Sequence, residues 1–347
     1  MTDLVLVDEA VGETRACLFD DQGQPVELAI ERGSEAKTRI PESAQVLGRV
    51  RQVDAGLNAA FVEMPFGGPG FLPFGKKGRP AEVHEGAEIP VQITREALPG
   101  KGPNLRLLPT GCELAEPRSL VERMYLPKDI QINIADREGR ERIDAAIDQA
   151  LAKLAMIAGG GNICIEPTRA LVAIDVDTGQ TTLSPGKFNY RAAQTAFRQL
   201  RLRSLGGIVV IDFAPMRVKN ERAALSAALQ SLARNDPARV DLLPLSRFGT
   251  LELLRRRNTR SPSEILLGSN GKKTVETSAL EALRGLENEA LAKGGATLQL
   301  QAGAVLHDWL SADDIGWVSS MQDRIGPRFS LERNESFSRQ KWEVVPK

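Results

Sequence analysis

Two aspartates, each placed where an apolar run ends, are the residues of this chain best suited to carry chemistry. Asp175 follows the apolar residues of "RALVAIDV", and Asp212 follows those of "GGIVVIDF", with a helix-like segment between the two. If these segments form a strand–helix–strand unit, the strands are parallel and both end at the same edge of a sheet. The sequence therefore predicts that Asp175 and Asp212 face one another.

Neighbouring carboxylates repel one another, so such a pair is stabilised by a proton or by a cation. Mg²⁺ suits the pair, because it binds one or two carboxylates together with water and a substrate phosphate oxygen; Mn²⁺ is an alternative ion. Asp177 lies two residues beyond Asp175 and is the third candidate catalytic carboxylate. The alternative is that these aspartates only cap strand ends and form turns with Thr178 and Gly179.

Residues 44–108 have the pattern of a small β-barrel that binds nucleic acid. Short β-type segments alternate there with glycine and proline, which is typical of such barrels. Phe61 and Phe71 lie on either side of the glycine-rich stretch "GGPG". Aromatic rings stack on unpaired bases and basic side chains contact phosphates, while burial of both rings in the barrel core is the alternative. The basic residues nearby in sequence are Arg49, Arg51, Arg95 and Lys101.

The rest of the chain predicts a mixed α/β and α+β organisation. Residues 4–32 favour two or three antiparallel strands, and helical periodicity over 137–157 ends at the glycines of "AGGGN". The apolar segment 206–213 is typical of a strand that is buried on both faces. We predict helices over 188–205 and 220–235, a polar linker over 258–273, and then helix, strand, helix and strand over 278–333.

Composition excludes several classes of protein. Forty-five basic residues balance forty-five acidic ones, so an anionic partner must be contacted by local patches of charge. Three scattered cysteines provide neither a disulfide framework nor a zinc site, and His84 and His307 form no constellation with a serine or cysteine nucleophile. Because the apolar runs are too short to span a bilayer and the N-terminus lacks a signal sequence, we expect a cytoplasmic protein without a membrane partner.

Taken together, these segments resemble the ribonuclease E/G family over most of the chain. "VLGRVRQVDAGLNAAFVEMPFGGPGFLPF" is similar to the S1 RNA-binding domain of that family, and "RALVAIDVDTG" and "SRFGTLELLRRR" are similar to its later signatures. The resemblance implies an S1 (OB-fold) β-barrel, residues 41–105, inserted in a reduced ribonuclease H-like domain, residues 1–40 with 106–165. A DNase I-like α/β catalytic domain, a linker and a small C-terminal α/β domain are implied at 166–262, 263–275 and 276–347.

The resemblance also implies a role for each candidate residue. Asp175 and Asp212 would bind Mg²⁺ and activate water for attack on an RNA phosphodiester, while Asp177 stays a candidate catalytic residue from its position in the sequence alone. The implied activity is that of a Mg²⁺-dependent endoribonuclease that cleaves single-stranded RNA. The residues implied to bind RNA are Phe61 and Phe71, by base stacking, Lys101, as a basic contact, and Arg247 and Arg255, which would hold phosphates near the metal.

Departures from the family pattern leave other functions open. Asp177 replaces a family asparagine and Pro215 a family aspartate, so an RNA-binding protein that has lost catalysis is the main alternative. The family's zinc-binding CPxCxG is replaced by "LLGSNGKK", which predicts no zinc and no zinc-linked tetramer and leaves a homodimer open; the Arg-Thr pair of a 5′-monophosphate sensor is also missing. A metal-dependent phosphatase is the third alternative, because "DVDTG" resembles an aspartyl-phosphatase signature except for the position of Thr178.

Overall fold

Strands outnumber helices in the N-terminal half of the chain, and helices alternate with strands after it. The computed structural model describes residues 3–347. Its strands are β1 (Leu4–Ala10), β2 (Glu13–Phe19), β3 (Pro25–Arg32), β4 (Gln45–Asp54), β5 (Ala59–Glu63), β6 (Gly70–Pro73), β7 (Glu88–Arg95), β8 (Asn104–Leu107), β9 (Gln131–Ile134), β10 (Leu154–Met156), β11 (Asn162–Pro167), β12 (Val172–Asp177), β13 (Gly207–Asp212), β14 (Val240–Leu242), β15 (Thr250–Arg255), β16 (Leu298–Ala302), β17 (Phe329–Arg333) and β18 (Trp342–Pro346). Its α-helices are α1 (Arg137–Leu151), α2 (Pro185–Leu202), α3 (Lys219–Asn235), α4 (Pro262–Leu266), α5 (Val275–Ala292), α6 (Ala304–Ala312) and α7 (Trp317–Ile325).

The first sheet has the strand order β3-β2-β1-β9. The antiparallel strands predicted at the N-terminus are confirmed, and β9 joins them from much later in the chain by pairing parallel to β1. Helix α1 covers one face, where Ile143 packs with Leu28 and Phe19 in a continuous apolar cluster. The side chain of Asp136 caps α1 by accepting a hydrogen bond from the Gly139 amide (2.8 Å).

The segment between β3 and β9 contains a closed barrel with the strand order β4-β5-β6-β8-β7. Its core consists of side chains from alternate strand positions, such as Val62, Leu72 and Val91. The barrel predicted over residues 44–108 is therefore confirmed as a five-stranded barrel.

The second sheet has six strands in the order β10-β11-β12-β13-β15-β14. Helices α2 and α3 pack on one face, where Phe188 and Leu229 contact the strand residues of a large apolar core. The opposite face is open, because Ile208 is 45% and Leu254 52% exposed. The prediction that residues 206–213 are buried on both faces is therefore wrong: side chains of β13 alternate between core and solvent.

Two predicted boundaries also change. The helix predicted over 137–157 ends at Leu151, and Leu154–Met156 form the edge strand β10. The glycines of "AGGGN" are consequently not a helix stop but the turn between β10 and β11, where residues 159–161 all have positive φ. The segment predicted as a polar linker, 258–273, contains helix α4, and the linker implied by the family resemblance, 263–275, overlaps that helix. Leu266 of α4 packs with α1 in the core of the first sheet.

The C-terminal unit combines a three-stranded sheet of order β17-β16-β18 with helices α5, α6 and α7. The predicted helices near 278–293 and 304–310 and the strands near 297–302 and 328–333 are confirmed, whereas α7 and β18 were not predicted. Trp317 of α7 fills the core of the unit, and its indole Nε1 donates to the carbonyl of Leu310 (2.7 Å). Among residues 3–347, no helix is both long and apolar enough to cross a membrane.

A buried network of charged side chains joins this C-terminal unit to the first sheet. The Asp8 carboxylate, fully buried on β1, accepts hydrogen bonds from Arg15 Nε (3.0 Å) and Nη2 (2.6 Å) and from Arg140 Nε (2.9 Å). Arg140 also forms an ion pair with Glu287 of α5 (2.9 Å). Because each charge is buried beside an opposite one, the network fixes α5 against the sheet only while every member is present.

Candidate active site

Asp175 and Asp212 are direct neighbours in the register of the parallel strands β12 and β13. Since register partners point to the same face of a sheet, both carboxylates lie on the open face, and both residues are exposed. In the described part of the chain, neither carboxylate forms a hydrogen bond or an ion pair. The same row continues with Cys164 on β11 and Thr250 on β15. The backbone register therefore places the two aspartates side by side, as the sequence predicts.

A buried amide on α2 holds the backbone that follows Asp212. The Asn189 side chain is fully buried; its Nδ2 donates to the Ala214 carbonyl (2.7 Å), and its Oδ1 accepts from the Ala214 amide (3.1 Å). This pair of hydrogen bonds fixes the direction in which the chain leaves β13. Asn189 was not predicted from the sequence, although a single asparagine among the apolar positions of a helix is a visible signal.

Asp177 is involved in a turn. Its Oδ1 accepts a hydrogen bond from the Gly179 amide (2.9 Å), which is the turn-forming arrangement considered for it from the sequence. The turn lies against the glycine hairpin between β10 and β11: a Cβ on Gly161, whose φ is +77°, would lie 2.4 Å from the Asp177 carbonyl oxygen. Glycine is therefore required at 161 for the two turns to approach this closely.

The two carboxylates of Asp175 and Asp212 suit Mg²⁺ better than a metal ion that takes all of its ligands from the protein. Within residues 3–347 there is no group of three or more histidine, cysteine, aspartate or glutamate side chains arranged to hold a metal ion. Asp175 and Asp212 offer two neighbouring oxygen ligands, and Mg²⁺ commonly binds through one or two carboxylates and keeps several waters. These two residues are the ones that could hold the ion.

Arg247 lies near the two aspartates, whereas Arg255 does not. Arg247 belongs to the loop before β15, whose first residue, Thr250, pairs with Asp212. Arg255 lies at the other end of β15, beside Gly207 and about 17 Å along the strand from Thr250. The expectation that Arg255 holds a phosphate near the metal is therefore wrong, because β15 runs antiparallel to β13 and carries Arg255 away from the edge.

Arg255 instead has a structural role. Its side chain is 5% exposed and donates to both oxygens of Asp236 (2.8 and 3.0 Å) and to the carbonyl of Leu205 (2.7 Å). These three hydrogen bonds join the ends of α2, α3 and β15. A guanidinium held in this way is not available to a ligand.

Phe61 and Phe71 lie on the outer surface of the barrel. They are register partners on β5 and β6, with ring centroids 5.9 Å apart and an interplanar angle of 64°. Both rings are half-buried, while their strand neighbours Val62 and Leu72 point into the core. The alternative that both rings form the core is therefore excluded. Lys101 is exposed in the turn that precedes β8.

The barrel contacts the segment that follows β15, where the first sheet also packs. The amide of Glu96 donates to the carbonyl of Asn258 (2.9 Å), and the Asn258 side chain donates to Glu42 (3.0 Å). Burial and the nearby charge of Glu96 raise the pKa of Glu42. A cavity of about 130 Å³ lies at this junction, and Tyr125 is among its lining residues.

Comparison with known proteins identifies relatives over part of the chain. Residues 116–258, which contain both aspartates and Arg247, match the Ribonuclease E/G family. Ribonuclease E of Escherichia coli (strain K12) is 36% identical over 163 residues, which cover 43% of this chain and 15% of the relative, and ribonuclease E of Buchnera aphidicola from Acyrthosiphon pisum is 36% identical over the same length, covering 18% of the relative. Ribonuclease G of Salmonella typhimurium is 25% identical over 216 residues, covering 58% of this chain and 44% of the relative.

The matched segments thus span less than half the length of each of these relatives. They include the six-stranded sheet with its paired aspartates and the helices that cover it. Over residues 116–258, the chain is therefore similar to the ribonuclease E/G family.

Proposed function

We propose that this protein is an endoribonuclease that cleaves single-stranded RNA with the help of Mg²⁺. The observation that carries the proposal is the pairing of Asp175 with Asp212 at the open edge of the second sheet, without any protein cation to neutralise them among residues 3–347. The relatives matched over this region are ribonucleases by name. Both observations support the same site.

In this proposal each residue at the carboxyl ends of β12 and β13 has its own role. Asp175 and Asp212 hold Mg²⁺, which when bound supplies an activated water and polarises the phosphodiester. Arg247, exposed in the adjoining loop, donates hydrogen bonds to a phosphate beside the cleaved one. Asp177 adds negative charge next to the pair, and its turn keeps the end of β12 in place.

In the same proposal, the barrel binds the RNA strand. We assign it as an S1 (OB-fold) domain, in which Phe61 and Phe71 stack on unpaired bases and Lys101 contacts the backbone. The first sheet with α1 corresponds in this proposal to the reduced ribonuclease H-like domain, and the second sheet to the DNase I-like catalytic domain. The outward position of both rings supports the assignment.

The test is cleavage of a 5′-labelled, unstructured RNA oligonucleotide. Wild-type protein is expected to cleave it with Mg²⁺ or Mn²⁺ and to stop when EDTA is added, and Asp212→Asn is expected to lose at least 100-fold in rate, about 2.7 kcal/mol. Glu252→Gln is the matched control, because Glu252 is an exposed acid on the next strand of the same face. Equal rates for Asp212→Asn and wild type, or cleavage that persists in EDTA, would refute the proposal.

The second candidate is a protein that binds RNA without cleaving it. It is favoured by Pro215, which is exposed shortly after β13. This proline supplies no carboxylate at the position where the family pattern has an aspartate. This candidate predicts salt-dependent RNA affinity that is lost in Phe61→Ala, with no product under any divalent ion. The cleavage assay above separates the two.

A further inference from the structure

Phe248 is an aromatic side chain with no assigned role, and it lies in the loop beside the paired aspartates. The residue is 74% exposed, whereas phenylalanine side chains are usually buried. Its neighbour Arg247 places its guanidinium carbon 4.7 Å from the ring centroid. One ring face is therefore covered by a cation, and most of the ring is left to solvent.

The loop that carries Phe248 is held in place by hydrogen bonds rather than free to collapse. Ser246 and Thr250 bond to each other through their hydroxyls (2.6 Å) and through the Ser246 amide and the Thr250 carbonyl (2.9 Å). Arg222 of α3 donates to the Ser246 carbonyl (2.6 Å), and Gly249 adopts a φ of +98° that closes the turn. The backbone on either side of Phe248 is thus held in place.

The position of the ring relative to Asp212 follows from the register. Thr250 pairs with Asp212, and a Cβ on Gly249 would lie 3.5 Å from the Phe213 carbonyl oxygen. Two residues along the chain and one strand spacing put the Cα atoms of Phe248 and Asp212 no more than roughly 12 Å apart. A base attached to a nucleotide at the aspartate pair can therefore reach the ring.

We propose that Phe248 is a substrate-binding residue that stacks on the base next to the cleaved phosphodiester. The idea rests on the proposed function and names a contact within it. An exposed ring backed by a cation suits a base followed by a phosphate, because the ring offers a stacking face and Arg247 offers charge to the backbone. Stacking on Phe248 requires a base that has left its duplex partner, so this contact also selects single-stranded RNA at the point of cleavage.

The first experiment locates the contact without relying on cleavage. RNA oligonucleotides carrying a single 5-iodouridine at successive positions are irradiated with the protein in Ca²⁺ or EDTA, and crosslinked peptides are identified by mass spectrometry. We expect one position, adjacent to the cut site mapped in Mg²⁺, to crosslink to Phe248. Crosslinks confined to the barrel rings, with none in residues 246–250, would overturn the proposal.

The second experiment compares substitutions at Phe248. Phe248→Ala and Phe248→Leu are expected to weaken RNA binding or cleavage about 5- to 140-fold, the range for loss of one base stack, whereas Phe248→Trp is expected to retain both. An abasic nucleotide at the crosslinked position should reduce wild-type binding but leave Phe248→Ala unaffected. Leu243→Ala is the control, because Leu243 is a 55% exposed apolar residue in the same β14–β15 connection.

The outcomes separate this inference from the proposed function. If wild type cleaves RNA and Phe248→Ala cleaves it equally well, the stacking contact is wrong and the nuclease proposal stands. If wild type cleaves nothing, the crosslinks and affinities still decide whether Phe248 binds a base. A change of oligomeric state in Phe248→Ala, measured by light scattering, together with unchanged RNA affinity, would show that the ring contacts a second copy of the chain and would overturn the proposal.

Discussion

The buried carboxylate of Asp8 is expected to control the stability of the joint between the first sheet and the C-terminal unit. Asp8→Asn keeps the shape of the side chain but removes the charge that faces Arg15 and Arg140, both of which are less than 10% exposed. Removing one partner from a buried ion pair costs about 3–5 kcal/mol, because the remaining charge stays buried without compensation. At about 2–4 °C per kcal/mol, the melting temperature should fall by roughly 6–20 °C.

Asp144→Asn provides the matched control. Asp144 contacts the same guanidinium, with Arg15 Nη1 donating to its carboxylate at 2.6 Å, but the Asp144 side chain is 59% exposed. An exposed ion pair contributes about 0–1 kcal/mol, so this variant should melt within about 4 °C of wild type. Both variants are measured by differential scanning calorimetry at pH 7. Equal shifts for the two variants would show that burial does not set the strength of this network and would refute the reasoning.

Two further predictions concern the junction and the active edge. Burial and the charge of Glu96 raise the pKa of Glu42 above its ordinary value of 4.5, so the folded protein keeps a proton that the unfolded chain releases, and stability falls as the pH rises through the folded pKa. Glu42→Gln should therefore be more stable than wild type in urea at pH 7 and should lose that advantage below about pH 4. An advantage that persists at low pH would contradict this account. Gly161→Ala should destabilise the protein by more than Gly23→Ala. Gly23 has a similar φ of +76°, but a Cβ there would meet open space, so Gly23→Ala should cost only about 1–2 kcal/mol. Equal urea midpoints for the two variants would show that contact with the Asp177 turn is unimportant.

The paired aspartates could be predicted from the sequence because their relation is local. A strand, a helix and a second strand determine that Asp175 and Asp212 reach the same sheet edge, and equal run lengths bring them into register. The position of Arg255 could not be predicted in the same way. The direction of β15 depends on how the short strand β14 turns back beside it, and "TLELLRRR" contains no signal for that direction.

Edge positions and buried charges were harder still. Leu154 and Met156 continue the helical spacing of α1, yet pairing with β11 makes them a strand, and both remain more than half exposed. Asp8 and Arg15 look like the polar positions of a solvent-facing strand. Their burial depends on Arg140 and on α5, which are over 120 residues away in sequence, so no local pattern predicts it.

The insertion of the barrel into the first sheet has a consequence for how the chain is synthesised. Strands β1 to β3 leave the ribosome before the barrel, but their partner β9 follows only after all five barrel strands. We expect the barrel to close as an independent unit while the flank of β1 still waits for its neighbour, since domains generally fold as units during translation. For that interval the unpaired backbone of β1 is exposed to pairing with other nascent chains, so this stage of translation favours aggregation.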